Sequence, residues 1–233
     1  DDCVRNQNPG QKMASHPWPP LRVGWMVPGF LALAVTAGCQ NAESADPAAH
    51  GKRVFTDYCQ PCHTPSGGGH AEIGAPAIAG LSEWYVKAQL GKFQQGQRGL
   101  HFDDIEGMRM RPMSLALQEE GEVEVVAKYV STLAPVDNPH TVHGDLEAGS
   151  RHFMTCAACH GQDGRGNELL NAPSLVQQDD WYLVRQIGKF QKGIRGANPA
   201  DTTGQTMAPM AATLRDEQAT KDVVAYIKSL SNK

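Results

Sequence analysis

Two short strings hold the residues best suited to chemistry: Cys59-Gln60-Pro61-Cys62-His63 and Cys156-Ala157-Ala158-Cys159-His160. In each, two thiols lie about one helical turn apart and an imidazole follows directly. That spacing suits thioether attachment of a haem through its two vinyl groups, with the histidine held beneath the ring as an axial iron ligand. A redox dithiol or half of a zinc site would use the same cysteines. No further Cys-x-x-Cys or histidine pair completes a zinc shell, however, and the full string occurs twice. The expected cofactors are therefore two covalent haem c groups, one at Cys59, Cys62 and His63 and one at Cys156, Cys159 and His160.

A haem iron held by one histidine takes a second axial ligand from elsewhere, and a methionine thioether is the expected choice because it favours the reduced iron. Met110 and Met113 in the first half match Met207 and Met210 in the second, whereas Met108 faces Gln205. Methionine also fills cores, so repetition by itself leaves both pairs open.

The elements that must position these groups are duplicated. Cys59 recurs as Cys156, an offset of 97 residues, and the same offset carries Pro76 to Pro173, Trp84-Tyr85 to Trp181-Tyr182, and Lys92 to Lys189. It also carries Arg98 to Arg195, Met110 to Met207 and Tyr129 to Tyr226. A whole domain has been repeated. Ahead of the motifs the register slips by one, since Phe55 stands four residues before Cys59 but Phe153 three before Cys156; a small deletion is the simplest account. The join falls at residues 134–139, where two prolines break helical continuation. The expected division is a leader at 1–39, a tether at 40–47 and two domains at 48–136 and 137–233. Apolar spacing predicts helices over 51–58 and 149–155, over 82–93 and 179–190, and over 122–133 and 222–230, with no alternating strand pattern. The fold class is all-α.

Hydrophobic residues make up 40% of the 233 and aromatics 6%, so each half is short of apolar mass that a bound cofactor would supply. The formal charge of −4, without a basic run, argues against nucleic acid as a partner. Residues 21–38 form an apolar segment closed by Thr36-Ala37-Gly38 before Cys39, the layout of a signal peptide. The segment is short and broken by Pro28 and Gly29, which disfavours a permanent span. Residues 33–39 resemble a bacterial lipobox, departing from it at Thr36. The resemblance implies a lipid on Cys39 and membrane attachment; the alternative is an ordinary cleaved signal peptide, and either reading places the protein in the periplasm. Residues 40–49 read as a flexible tether.

Taken together, the motif, a proline a dozen residues on, an aromatic helix, a methionine-containing loop and a final helix with a tyrosine resemble a class I cytochrome c. Two such domains in one exported chain resemble the diheme cytochromes of the c-four type, across nearly all of residues 48–233. The resemblance implies that Met110 and Met207 are the ligands, and that the Pro76 and Pro173 carbonyls accept hydrogen bonds from the His63 and His160 rings. It implies an electron carrier, not an enzyme, working between a quinol-oxidising complex or dehydrogenase and a terminal oxidase or reductase. The alternatives are a haem-bearing subunit of a larger membrane complex and, further off, a diheme peroxidase. Trp84, Tyr85, Trp181 and Tyr182 are read as core or as contacts to haem edges and propionates. Lys92, Arg98, Lys189 and Arg195 are read first as solvated surface and second as screens for propionate charge. His70, His101, His140, His143 and His152 lack repeat partners and are read as surface.

Overall fold

The computed structural model describes residues 46–231. The leader, Cys3 and Cys39 lie outside them. Among the described residues all regular structure is helical, apart from two isolated bridges, His70 to Ala75 and Asn167 to Ala172. No helix among them is long and apolar enough to cross a membrane.

The first domain runs α1 (Pro47–Val54), a π-helical turn (Phe55–Cys59), α2 (Gln60–His63), α3 (Glu83–Gln94), α4 (Ile105–Leu115) and α5 (Glu122–Thr132). The second runs α6 (Leu146–His160), α7 (Asp180–Gln191), α8 (Thr202–Ala211) and α9 (Glu217–Leu230). α1 starts inside the expected tether, which is a correction. Asp46 accepts a hydrogen bond from the Ala48 N–H, and Pro47 occupies a first-turn position where its missing N–H costs nothing. α9 also begins earlier than its apolar spacing indicates, because Asp216 caps it through the Ala219 N–H.

The π turn explains the register slip before the first haem motif. α6 runs unbroken through its motif, whereas the first domain carries one additional residue and absorbs it by widening one turn. The matched side chains on either side thereby keep their places. Phe55 packs on Tyr129 with ring centroids 5.3 Å apart, and Phe153 packs on Tyr226 at 5.5 Å, both tilted by 53°.

These pairs pin α1 against α5 and α6 against α9. The crossings are so close that a Cβ at Gly51 would run into the Val125 carbonyl, and one at Gly149 into that of Asp222. Gly149→Ala therefore forces the two helices apart. A loss of about 1–3 kcal/mol is expected, read as a lowered denaturation midpoint with haem content unchanged.

The expected methionine loops are also corrected. Both segments are helices, α4 and α8, in spite of internal Pro112 and Pro209. Asp104 and Asp201 cap them through the Gly107 and Gly204 N–H groups, and each glycine leaves the carboxylate room that a side chain would fill.

Candidate functional site

Each motif histidine is buried, with 7% exposure at His63 and at His160. The His63 Nδ1 donates to the Pro76 carbonyl at 2.7 Å, and the His160 Nδ1 to that of Pro173 at 2.7 Å. A carbonyl only accepts, so the proton sits on Nδ1 and the Nε2 lone pair is left free for a metal. Burial lowers both imidazole pKa values and outweighs the opposing pull of the proline carbonyls. Burial likewise pushes the Cys59 thiol up to about 12 and the Cys156 thiol up to about 11. The glycines that hold the proline loops in place were not singled out from the sequence. Gly69 and Gly166 take φ of 80° and 89°, and their Cα atoms lie against the peptides following Pro76 and Pro173. Their recurrence at the repeat offset was the available signal.

Cys59, Cys62, His63, Met110 and Met113 line one cavity in the first domain. The two methionines differ in setting. Met110 packs against the cluster of Val54, Phe55, Leu90 and Val126, while Met113 is 38% exposed. In the second domain Met207 packs against the core cluster that contains Phe153 and Val223, whereas Met210 is 41% exposed.

The cations expected at the surface are instead buried where the two domains meet, with Arg98 at 8% and Arg195 at 9% exposure. Arg98 donates to Gln89 at 2.7 Å in its own domain and to Gln186 at 3.3 Å in the other; Arg195 donates to Gln186 at 2.9 Å and across to Gln89 at 3.1 Å. Each guanidinium also lies over a phenylalanine ring, Arg98 on Phe93 and Arg195 on Phe190. Lys92 reaches Asp201 at 2.6 Å, and Lys189 reaches Asp104 at 2.5 Å and Glu106 at 2.7 Å. The contact is nearly self-complementary, like the two-fold interface of a homodimer, because most of the pairs repeat at the same offset. The aromatics join it: Arg98 Nη2 lies 3.5 Å from the Tyr182 hydroxyl, and Tyr85 and Tyr182 both line the first cavity.

Burial alone would raise the Asp104 and Asp201 carboxyls, but Lys189 and Lys92, helped by Arg98 and Arg195, hold both below the usual carboxylate range. A depressed folded value means these groups stabilise the fold above about pH 4, and that the contribution is lost as pH falls through their folded values. Asp104→Asn and Asp201→Asn should accordingly flatten the fall of the thermal midpoint below about pH 4.

An orphaned polar atom tests whether this site suits a haem. The Arg98 and Arg195 Nε atoms are buried without hydrogen-bond partners, and Arg98 lines the first cavity together with the cysteines and His63. A cavity carrying two thiols, a free imidazole nitrogen, a thioether and an unspent guanidinium N–H has the donors to hold haem iron, vinyls and a propionate. The fit holds.

The cytochrome c family profile matches residues 48–134 and 146–231, so the chain belongs to the cytochrome c family. Its two tandem domains are of the diheme class I, c4 type, and it carries two covalently bound haem c groups at its Cys-x-x-Cys-His motifs. Reduced cytochrome c4 from Pseudomonas stutzeri superposes with a TM-score of 0.60 at 25% identity, covering 78% of this chain and 97% of that one. A thiosulfate dehydrogenase electron acceptor from Stutzerimonas stutzeri is 25% identical over 91% of this chain and 97% of its own length. The cbb3-type cytochrome c oxidase subunit FixP from Bradyrhizobium diazoefficiens is 30% identical over 70% of this chain, which covers 58% of it.

Proposed function

We propose that this chain is an exported electron carrier whose two irons are each held by a histidine and a methionine, His63 with Met110 and His160 with Met207. The observation that carries the reading is the first-domain cavity lined by both His63, its proton fixed on Nδ1, and the inward-packed Met110. The second domain repeats the parts in a buried His160 with the same Nδ1 bond and an inward-packed Met207. A bound haem supplies one-electron chemistry. His63 with Met110 and His160 with Met207 would hold the two irons, the apolar cavity wall of the first domain would exclude water, and the bonds to Pro76 and Pro173 keep the Nδ1 protons in place. Such a site leaves no position for substrate, which favours a carrier over an enzyme.

The donor we favour is a periplasmic dehydrogenase, with a terminal oxidase or reductase as acceptor. The relative named as a thiosulfate dehydrogenase electron acceptor supports this, because the likeness runs over nearly the full length of both chains. The leader at residues 21–38 and Cys39 support export and a lipid tether. A second reading, a fixed haem subunit of an oxidase, rests on the likeness to FixP. Purification of the native protein from membranes separates the two. A carrier elutes free and is reduced on mixing with a thiosulfate dehydrogenase and thiosulfate, whereas a fixed subunit co-purifies in constant ratio with an oxidase.

A further inference from the structure

We infer that His50, Glu119 and Glu122 form a binding site for a divalent cation of the zinc class, separate from both haem sites. A histidine nitrogen and one oxygen from each glutamate all lie within 4.8 Å of one another. His50 Nε2 is fully buried and has no hydrogen-bond partner, and Glu122 is 7% exposed. A buried nitrogen lone pair or N–H without a partner, beside two carboxylates, is costly unless something bridges them. None of the ion pairs among the described residues involves Glu119 or Glu122.

The scaffold holds the three groups in place. His50 precedes Gly51, whose Cα lies against the Val125 carbonyl of α5, so the spacing of the two helices is fixed beside the site. Glu122 accepts a hydrogen bond from the Glu119 N–H at 3.1 Å, which ties the two acidic residues together. One imidazole nitrogen and two carboxylates suit Zn²⁺, with a fourth position for water, and their two negative charges balance the ion. The second domain has Ala148, Asp216 and Ala219 at the matching positions, so it lacks the donor set. One ion per chain follows.

The test is calorimetric titration of the intact diheme protein, treated with EDTA, using zinc chloride. The expected result is one zinc per chain, with affinity lowered about tenfold or more by His50→Ala and by Glu119→Gln, the latter at an exposed position. His70→Ala serves as the control, because His70 lies outside the cluster and pairs with the exposed Glu72 at 3.5 Å, and it should leave the affinity unchanged. Copper(II) added in place of zinc should show coupling to one imidazole nitrogen by electron paramagnetic resonance, lost in His50→Ala. Absence of stoichiometric binding, or equal binding by His50→Ala and His70→Ala, overturns the inference.

Discussion

Met110→Ala should leave both haems covalently attached and abolish half of the weak absorption at the red edge of the visible spectrum that reports methionine sulfur on ferric haem. The thioethers and His63 are untouched by the change, so haem content per chain stays the same. The vacated position makes one iron per chain bind carbon monoxide, and the loss of a soft thioether lowers the potential of that haem. Met207→Ala should do the same to the other haem, and the double substitution should remove the band. Met113→Ala and Met210→Ala are the controls, because both side chains are more than a third exposed. If Met113→Ala halves the band and Met110→Ala does not, the axial assignment in the first domain moves by one helical turn.

The largest effect on stability is expected where the domains meet. Lys92→Met keeps the apolar stem but strips the charge from Asp201, which is 1% exposed and whose Oδ2 has no hydrogen-bond partner. Leaving a buried carboxylate without its cation costs about 3–5 kcal/mol, visible as a lowered midpoint in guanidinium denaturation. Asp201→Asn retains a good helix cap for α8 while removing the charge. The pair Lys92→Met with Asp201→Asn should therefore cost less than Lys92→Met alone, and the difference measures the coupling. Equal losses would mean that the lysine acts through its stem and not its charge.

The haem motifs and the duplication were legible because covalent attachment demands fixed residue types at fixed spacing, and a repeat copies that spacing whole. The Pro76 and Pro173 contacts were implied by the resemblance to class I cytochromes c, and both hydrogen bonds are present at 2.7 Å. The π turn was not legible, since a one-residue slip between Phe55 and Cys59, read as a small deletion, does not say how the longer copy accommodates its extra residue within a helix. The helices over the methionines were hidden by Pro112 and Pro209, whose effect is offset by the capping carboxylates Asp104 and Asp201. The domain contact was missed for a different reason. Lys92 and Arg98 sit at positions that read as solvent-facing in either domain alone, and the partners that bury them belong to the other domain. Polar residues conspicuously kept at the offset, Gln89 with Gln186 and Asp104 with Asp201, were the trace of that contact. The unrepeated histidines show the converse. His50 has alanine opposite it, which fits a feature peculiar to one domain.

Closure of both irons by a histidine and a methionine is the feature on which the proposed electron transfer rests. Its most direct test is the absorption spectrum of the purified oxidised protein, with the red-edge band measured against total haem and followed by exposure of the reduced protein to carbon monoxide. The expected result is band intensity for two methionine-ligated haems per chain and no carbon monoxide binding. Intensity for one haem, or a high-spin iron that binds carbon monoxide readily, would contradict it and reopen a catalytic role.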